Sequence, residues 1–204
     1  MVDTNRILGS LEFLREAERL KCTLRSGYTS DGRPESTAEH TWRLCLMALV
    51  FADEFEGIDM LRLLKLCIVH DLGEALSGDI PAVMQTEGSN KSARERADLE
   101  ILTRALHPEK RSEILDLWEE YEAAATPEAV LAKGLDKLET ILQHNQGRNP
   151  ADFDYAFNLG YGRKQTSAHP VLARIRAVLD EETRARAESS AVIPGPRSGA
   201  RDDS

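Results

Sequence analysis

No apolar run in this chain approaches the roughly 18 residues needed to cross a bilayer. The opening MVDTNRILGSLEF has no basic region followed by an apolar core, so it does not read as a secretory signal. Cysteine is scarce: Cys22, Cys45 and Cys67 are widely spaced, form no CxxC, and sit mostly inside apolar stretches. That usage excludes a disulfide scaffold and predicts reduced core thiols in a cytoplasmic protein. A basic stripe is also missing. The formal net charge is −9, and the basic-leaning stretches Arg94–Arg96 and Arg174–Arg186 are interleaved with acids at helical spacing, as on a solvated face. A nucleic-acid polymer or an anionic membrane surface is therefore not the expected partner. Any phosphate substrate has to be small, with its charge met locally by a metal and a few cations. Strand signals are almost absent, and no repeat is visible at a fixed period.

Helical periodicity fills the space these absences leave. With 204 residues, 41% hydrophobic and 30% charged, the chain suits one globular domain. Ile7, Leu8, Leu11, Leu14 and Leu20 line one face of a first helix. A second opens on the capping box Ser36-x-x-Glu39 and runs through Trp42, Leu44, Cys45, Ala48 and Phe51. The third, from about Asp59 to Asp71, contains LRLLKLCIVHD and is apolar on most sides, which predicts the central buried helix. A fourth spans about Ser92 to Leu106. A fifth starts at Pro108 and carries Ile114, Leu115, Trp118 and Tyr121, with both aromatics read as packing residues. The sixth starts at Thr126-Pro127 and carries Val130, Leu131, Leu138, Ile141 and Leu142; the last covers Val171 to about Ala187. The expected fold is all-α, a compact helical bundle over residues 1–187. Residues 188–204, rich in Ser, Gly, Pro and charge, cannot bury enough apolar area to order themselves and are expected to form a disordered tail.

Five histidines carry the search for a site: His40, His70, His107, His144 and His169. His107 and His169 each precede a proline at a helix entry, where exposure is expected. His144 falls near a helix end, where an imidazole complements the macrodipole. His40 lies in a first helical turn, and His70 ends the most apolar helix and is followed at once by Asp71. A His-Asp dipeptide alone is common in cores, but a buried one requires hydrogen bonds or a metal to compensate it. Asp136 adds to it, because Leu135, Leu138, Ile141 and Leu142 place that carboxylate beside an apolar face. Two imidazoles and two carboxylates on the inner edges of three helices suit Mn²⁺, Co²⁺, Fe²⁺, Zn²⁺ or Mg²⁺, with positions left for water and substrate.

The order His, His-Asp, Asp on successive helices resembles the HD-domain superfamily of metal-dependent phosphohydrolases. RPESTAEH, VHDLGEALSGDIP, LWEEYE and LDKLE together resemble its 5'-deoxynucleotidase branch, over roughly Leu11 to His169. The resemblance implies an HD-domain bundle with His40, His70, Asp71 and Asp136 as metal ligands. It matches Glu74 and Asp79 to the two acids used beside the metal, and Arg25 in LRSGY to the arginine that reaches the phosphate. Tyr28 stands where an aromatic is usually found close behind that arginine, and is the expected wall beside the sugar. The implied reaction is hydrolysis of deoxynucleoside 5'-monophosphates. Another HD phosphohydrolase activity, or a nucleotide-binding HD protein without turnover, are the competing readings.

Chemistry supports those roles. Phosphate monoesters hydrolyse extremely slowly unaided. A bound metal lowers the pKa of water and neutralises phosphate, and a neighbouring carboxylate can orient that water or take its proton. Glu74 lies three residues beyond Asp71 and faces the same site if the helix continues or kinks at Gly73; Asp79 sits in a turn between Gly78 and Pro81. HD proteins with two metals use further histidines after the His-Asp pair. The next one here is His107, so one divalent ion is expected. Arg33 and Lys137 flank ligands but read as surface charge. The apolar residues around Trp42, with the Trp118 face, exceed what one small bundle needs, and the related branch commonly forms homodimers, so a homodimer is expected.

Overall fold

The computed structural model describes residues 3–80 and 91–191. Its elements in chain order are α1 (Thr4–Ala17), a 3-10 turn (Glu18–Lys21), β1 (Leu24–Tyr28), β2 (Pro34–Ser36), α2 (Thr37–Val50), a second 3-10 turn (Ala52–Glu54), α3 (Met60–Val69), α4 (Glu74–Ser77), α5 (Lys91–Leu102), α6 (Pro108–Ala123), α7 (Pro127–Gln146), α8 (Phe157–Gly160), α9 (Arg163–Thr166) and α10 (Pro170–Ala191). The expected all-α architecture holds, with one small addition. β1 and β2 pair antiparallel as a hairpin, with Leu24 opposite Ser36 and Tyr28 opposite Pro34. Its turn is closed by Thr29 N–H to the Arg33 carbonyl at 2.8 Å and by Gly32 at φ 90°, a backbone that glycine adopts freely. LRSGY and PES are too short and too polar to show a period of two, which is why the sequence conceals them.

Local rules account for most helix boundaries. Ser36 accepts from Glu39 N–H while Glu39 returns a bond to the Ser36 backbone, so the capping box that starts α2 is complete. Asp59 caps α3, Thr126 caps α7, and proline opens both α6 and α7. α10 continues to Ala191, four residues past the expected end at Ala187; the rest of the expected tail, 192–204, lies outside the described residues.

The centre of the bundle is α7, not α3. α7 packs against α2, α3, α6, α9, α10 and β1, and most of its length is buried. Gly134 makes this possible, since a Cβ there would sit 2.3 Å from Leu172 Cδ1 of α10. By contrast α3 buries Leu63, Leu66, Cys67 and Val69 but exposes Leu61 and Ile68. An all-round apolar sequence is not proof of all-round burial. The expected core face of α1 is likewise open: Ile7, Leu8, Leu11 and Leu14 are all exposed, as are Trp42, Leu46, Leu49 and Val50 on α2. Trp118 belongs to the core, so it contributes nothing to that exposed surface. Of the cysteines only Cys67 is fully buried; Cys22 is exposed, and all three are free.

Candidate metal centre

Between Val69 and Ala75 the chain tightens from α-helical to three-residue turns: Leu72 N–H bonds the Val69 carbonyl, Glu74 N–H bonds Asp71, and Ala75 N–H bonds Leu72. Three residues per turn eclipse positions i and i+3, so Asp71 and Glu74 share one face. Gly73 permits the close approach of α5 that this requires, because a Cβ there would lie 2.6 Å from the Glu95 carbonyl oxygen. α3 delivers His70, the first turn of α2 delivers His40, and the middle of α7 delivers Asp136.

These four side chains meet. His70 Nε2 lies 3.0 Å from Asp71 Oδ2, and His40 Nε2 lies 3.2 Å from Asp136 Oδ1. The cross distances, His40 to Asp71 and His70 to Asp136, are 3.8 and 4.0 Å. An ion with bonds of about 2.1 Å spaces its donors between about 3.0 Å for neighbours and about 4.2 Å for opposite positions, and these four separations fall in that range. The group whose ligand atoms all lie within 4.8 Å of one another is His40, His70 and Asp71, with Asp136 at its edge. Both Nε2 atoms are buried without a hydrogen-bond partner, a costly arrangement unless a cation takes their lone pairs. The other ring nitrogens are committed: His70 Nδ1 donates to the Cys67 carbonyl at 2.8 Å, and His40 Nδ1 to Glu139. Such bonds fix the tautomer that leaves Nε2 free to ligate. Asp136 is set in the same way. Its Oδ2 accepts from Tyr121 Oη at 2.9 Å and Lys137 Nζ at 2.8 Å, leaving Oδ1 toward the imidazoles. The donors present therefore fit a divalent metal.

Electrostatics point the same way. Burial and Arg25 oppose a proton on His40, but Glu139 and Asp136 outweigh them and push it up to about 10. Burial raises Asp71 and Asp136, yet His70 and Arg25 for the first, and Lys137 and His40 for the second, hold both below the ordinary range. A divalent ion would replace the imidazolium proton among carboxylates already ionised. Glu74 is buried and accepts from Thr37 Oγ1 at 3.3 Å, with Lys91 Nζ 3.6 Å away. Burial, then the charges of Asp71 and Asp79, push it up to about 9.

The centre forms part of the wall of a cavity of about 380 Å³. Asp71, Glu74, Asp79, Asp136 and Arg25 line it. Arg25 Nη1 is 3.3 Å from Asp71 Oδ2, and Nη2 donates to Thr140 Oγ1 at 3.2 Å. Tyr28 is not brought to this wall: it is half-buried on β1, and its carbonyl accepts from Gln143. The aromatic walls are instead Phe153, Phe157 and Tyr161. Lys137 and His144 also line the cavity, against the expectation of surface charge for one and a plain helix-end imidazole for the other. Lys137 Nζ sits 5.3 Å over the Tyr161 ring. Arg33 is exposed and pairs with Glu39, as expected of surface charge. His107 and His169 lie outside the cavity lining.

Sequence reasoning missed Glu139, Tyr121 as a partner of Asp136, Thr140, Lys91 and Asn158. One signal was available for the α7 residues: Asp136, Thr140 and His144 recur every four positions along one side of the helix. A buried polar stripe of that kind marks a site wall.

Comparison with known proteins agrees with this geometry. The family model for the HD domain matches residues 17–176. The 5'-deoxynucleotidase HDDC2 of Mus musculus is 31% identical over 193 residues, covering 92% of this chain and 94% of the mouse protein. HDDC2 of Homo sapiens is 37% identical over 138 residues, 67% of each chain. Among solved structures, one described as a predicted metal-dependent phosphohydrolase from Magnetospirillum magnetotacticum aligns with a TM-score of 0.74 at 29% identity, covering 90% of this chain and 98% of that one.

Proposed function

Because the chain belongs to the HD-domain family, we propose that it is a metal-dependent phosphohydrolase that converts deoxynucleoside 5'-monophosphates to deoxynucleoside and inorganic phosphate. One observation carries the reading. Two buried imidazole nitrogens without hydrogen-bond partners converge with the Asp71 carboxylate, and Asp136 Oδ1 lies 3.2 Å from one of them, at the wall of a cavity sized for a small ligand.

His40, His70, Asp71 and Asp136 hold one divalent ion from among Mn²⁺, Co²⁺, Fe²⁺, Zn²⁺ and Mg²⁺. When bound, such an ion supplies an activated water and neutralises phosphate charge. Arg25 binds a phosphate oxygen, and its contacts with Asp71 and Thr140 keep the guanidinium aimed at the cavity. Glu74 and Asp79 handle protons, one on the attacking water and one on the leaving 5'-oxygen. Lys137 is placed to offset charge as the phosphate enters. Tyr161, packed under Lys137, takes the role beside the sugar for which Tyr28 was expected.

Two further expectations belong to this reading. The exposed apolar strips of α1 and α2 support a homodimer, and sedimentation showing a 22.7 kDa species at micromolar concentration would overturn it. The three free thiols support a reducing, cytoplasmic setting. Among the described residues no helix is long and apolar enough to cross a membrane.

The deciding experiment measures phosphate release from matched deoxy- and ribonucleoside monophosphates, after chelation and re-addition of single metals. Release that survives chelation refutes the metal centre. Equal efficiency on both sugars refutes the deoxynucleotidase assignment while leaving the phosphohydrolase.

A further inference from the structure

One buried polar atom in the cavity wall has no role in the chemistry at the metal. Asp136, Thr140 and His144 line the cavity at four-residue intervals on α7, so His144 lies about 12 Å along the helix axis from Asp136. On the reading that a deoxynucleoside monophosphate occupies the cavity, its phosphate sits at the level of Asp136 and Arg25. The sugar then falls near Thr140, and the nucleobase reaches His144. Aromatic surface gathers at that level. Phe153 meets the His144 ring edge-on at 4.9 Å, and Phe157 stacks with Tyr161 at 5.7 Å.

Asn158 lies in the same wall and is 0% exposed. Its Oδ1 accepts from His144 Nδ1 at 3.0 Å. Its Nδ2 has no partner. A buried donor left unpaired is destabilising, and the cavity is where it can find an acceptor. The donor is also held rigidly. Arg176, buried and paired with Asp180 at 2.6 Å, donates to the carbonyls of Asn158 at 2.6 Å and Tyr161 at 2.7 Å, tying this segment to α10.

We propose that Asn158 Nδ2 donates to a carbonyl oxygen on the base edge remote from the sugar, so that the enzyme prefers keto bases to amino bases. Guanine, hypoxanthine, thymine and uracil present an acceptor there; adenine and cytosine present an amino donor that opposes another donor. His144 and Arg176 act as positioning residues for this contact.

The test compares catalytic efficiency within two pairs that exchange the carbonyl for an amino group: deoxyinosine against deoxyadenosine monophosphate, and deoxyuridine against deoxycytidine monophosphate. The keto member of each pair is expected to be favoured by about tenfold, the usual consequence of leaving a buried donor unpaired. In Asn158→Asp, which puts an acceptor where the donor was, both ratios should fall to one or invert. Each ratio is read within one preparation, so a poorly folding variant still reports. Ratios within about twofold of one in the wild type, or wild-type ratios that persist in Asn158→Asp, would overturn the proposal. Failure to hydrolyse any of the four would instead refute the function on which it rests.

Discussion

Replacing Glu139 by glutamine isolates what the buried carboxylate does for the metal. Glu139 and His40 are both 0% exposed, and the carboxylate takes His40 Nδ1 on one oxygen and Arg43 Nε, at 2.7 Å, on the other. Glutamine has nearly the same shape and can still present an oxygen to the imidazole. It removes the charge that makes the ring basic and favours a proton or a cation on it. Arg43 keeps an acceptor in Gln146 Oε1 at 3.0 Å, so the substitution does not strand a buried guanidinium. Losing such a supporting carboxylate typically costs about 10- to 100-fold in metal affinity, or about 1.4–2.7 kcal/mol. Chelator competition with Co²⁺ or Mn²⁺ should show that loss. Phosphate release at saturating metal should return to within a few-fold of wild type, because Glu139 does not line the cavity. Metal affinity within about threefold of wild type would refute the argument, as would lost activity that excess metal does not restore.

Other consequences can be checked directly. His70→Ala should abolish metal retention measured by elemental analysis after desalting, since three remaining ligands are too few for a tight site. Glu74→Ala should keep the metal and nucleotide affinity but lose about 10²–10⁴-fold in kcat; near wild-type turnover would remove Glu74 from proton handling. The pH dependence of the chelated protein has a definite sign. Burial first, then Glu139, pushes Glu35 up to about 7, and burial with Asp71 and Asp79 pushes Glu74 up to about 9, both from an ordinary 4.5. Folded carboxyls that hold protons the unfolded chain releases stabilise the fold fully below pH 4.5, and that contribution fades as pH rises through 7 and 9. The chelated protein should therefore melt at progressively lower temperature from pH 6 to pH 9, and a Tm that rises over that interval would refute this.

Much of this molecule was legible because its local rules are strong. The capping box at Ser36, the prolines at 108 and 127 and the apolar spacing of α7 each fix a helix boundary or face without reference to the rest of the fold. The closeness of His40, His70 and Asp71 was legible for a related reason: a polar residue inside an apolar stripe must be compensated, and the candidates were few. What stayed hidden depends on packing partners. Whether α3 or α7 occupies the centre is decided by Gly134 letting α10 approach, and periodicity carries no information about that. The open face of α1 has the same pattern as a buried one. Tyr28, expected beside the sugar, lies outside the cavity lining, and its carbonyl accepts from Gln143 of α7. Phe153, Phe157 and Tyr161, which line the cavity, come from a segment after α7 with no periodic signal, and Arg176 ties the carbonyls of Asn158 and Tyr161 to α10.

Charge around the cavity imposes an order on binding. Among the described residues, the lining contains the acids Asp71, Glu74, Asp79, Asp136, Asp152 and Asp154 against the cations Arg25, Lys91 and Lys137. All three cations are already engaged, Arg25 with Asp71 at 3.3 Å, Lys137 with Asp136 at 2.8 Å and Lys91 with Glu95 at 3.2 Å. A phosphate dianion approaching this wall without metal meets net negative charge, and in a partly desolvated cavity that repulsion is weakly screened. A divalent ion held by His40, His70, Asp71 and Asp136 would reverse the local sign at the point where Arg25 also converges. Substrate affinity is then conditional on metal, and by linkage substrate must tighten metal binding by the same factor. Calorimetric titration with a non-hydrolysable deoxynucleoside phosphonate should show binding only to the metal-loaded protein; equal affinity for the chelated form would mean that the acidic wall does not govern entry.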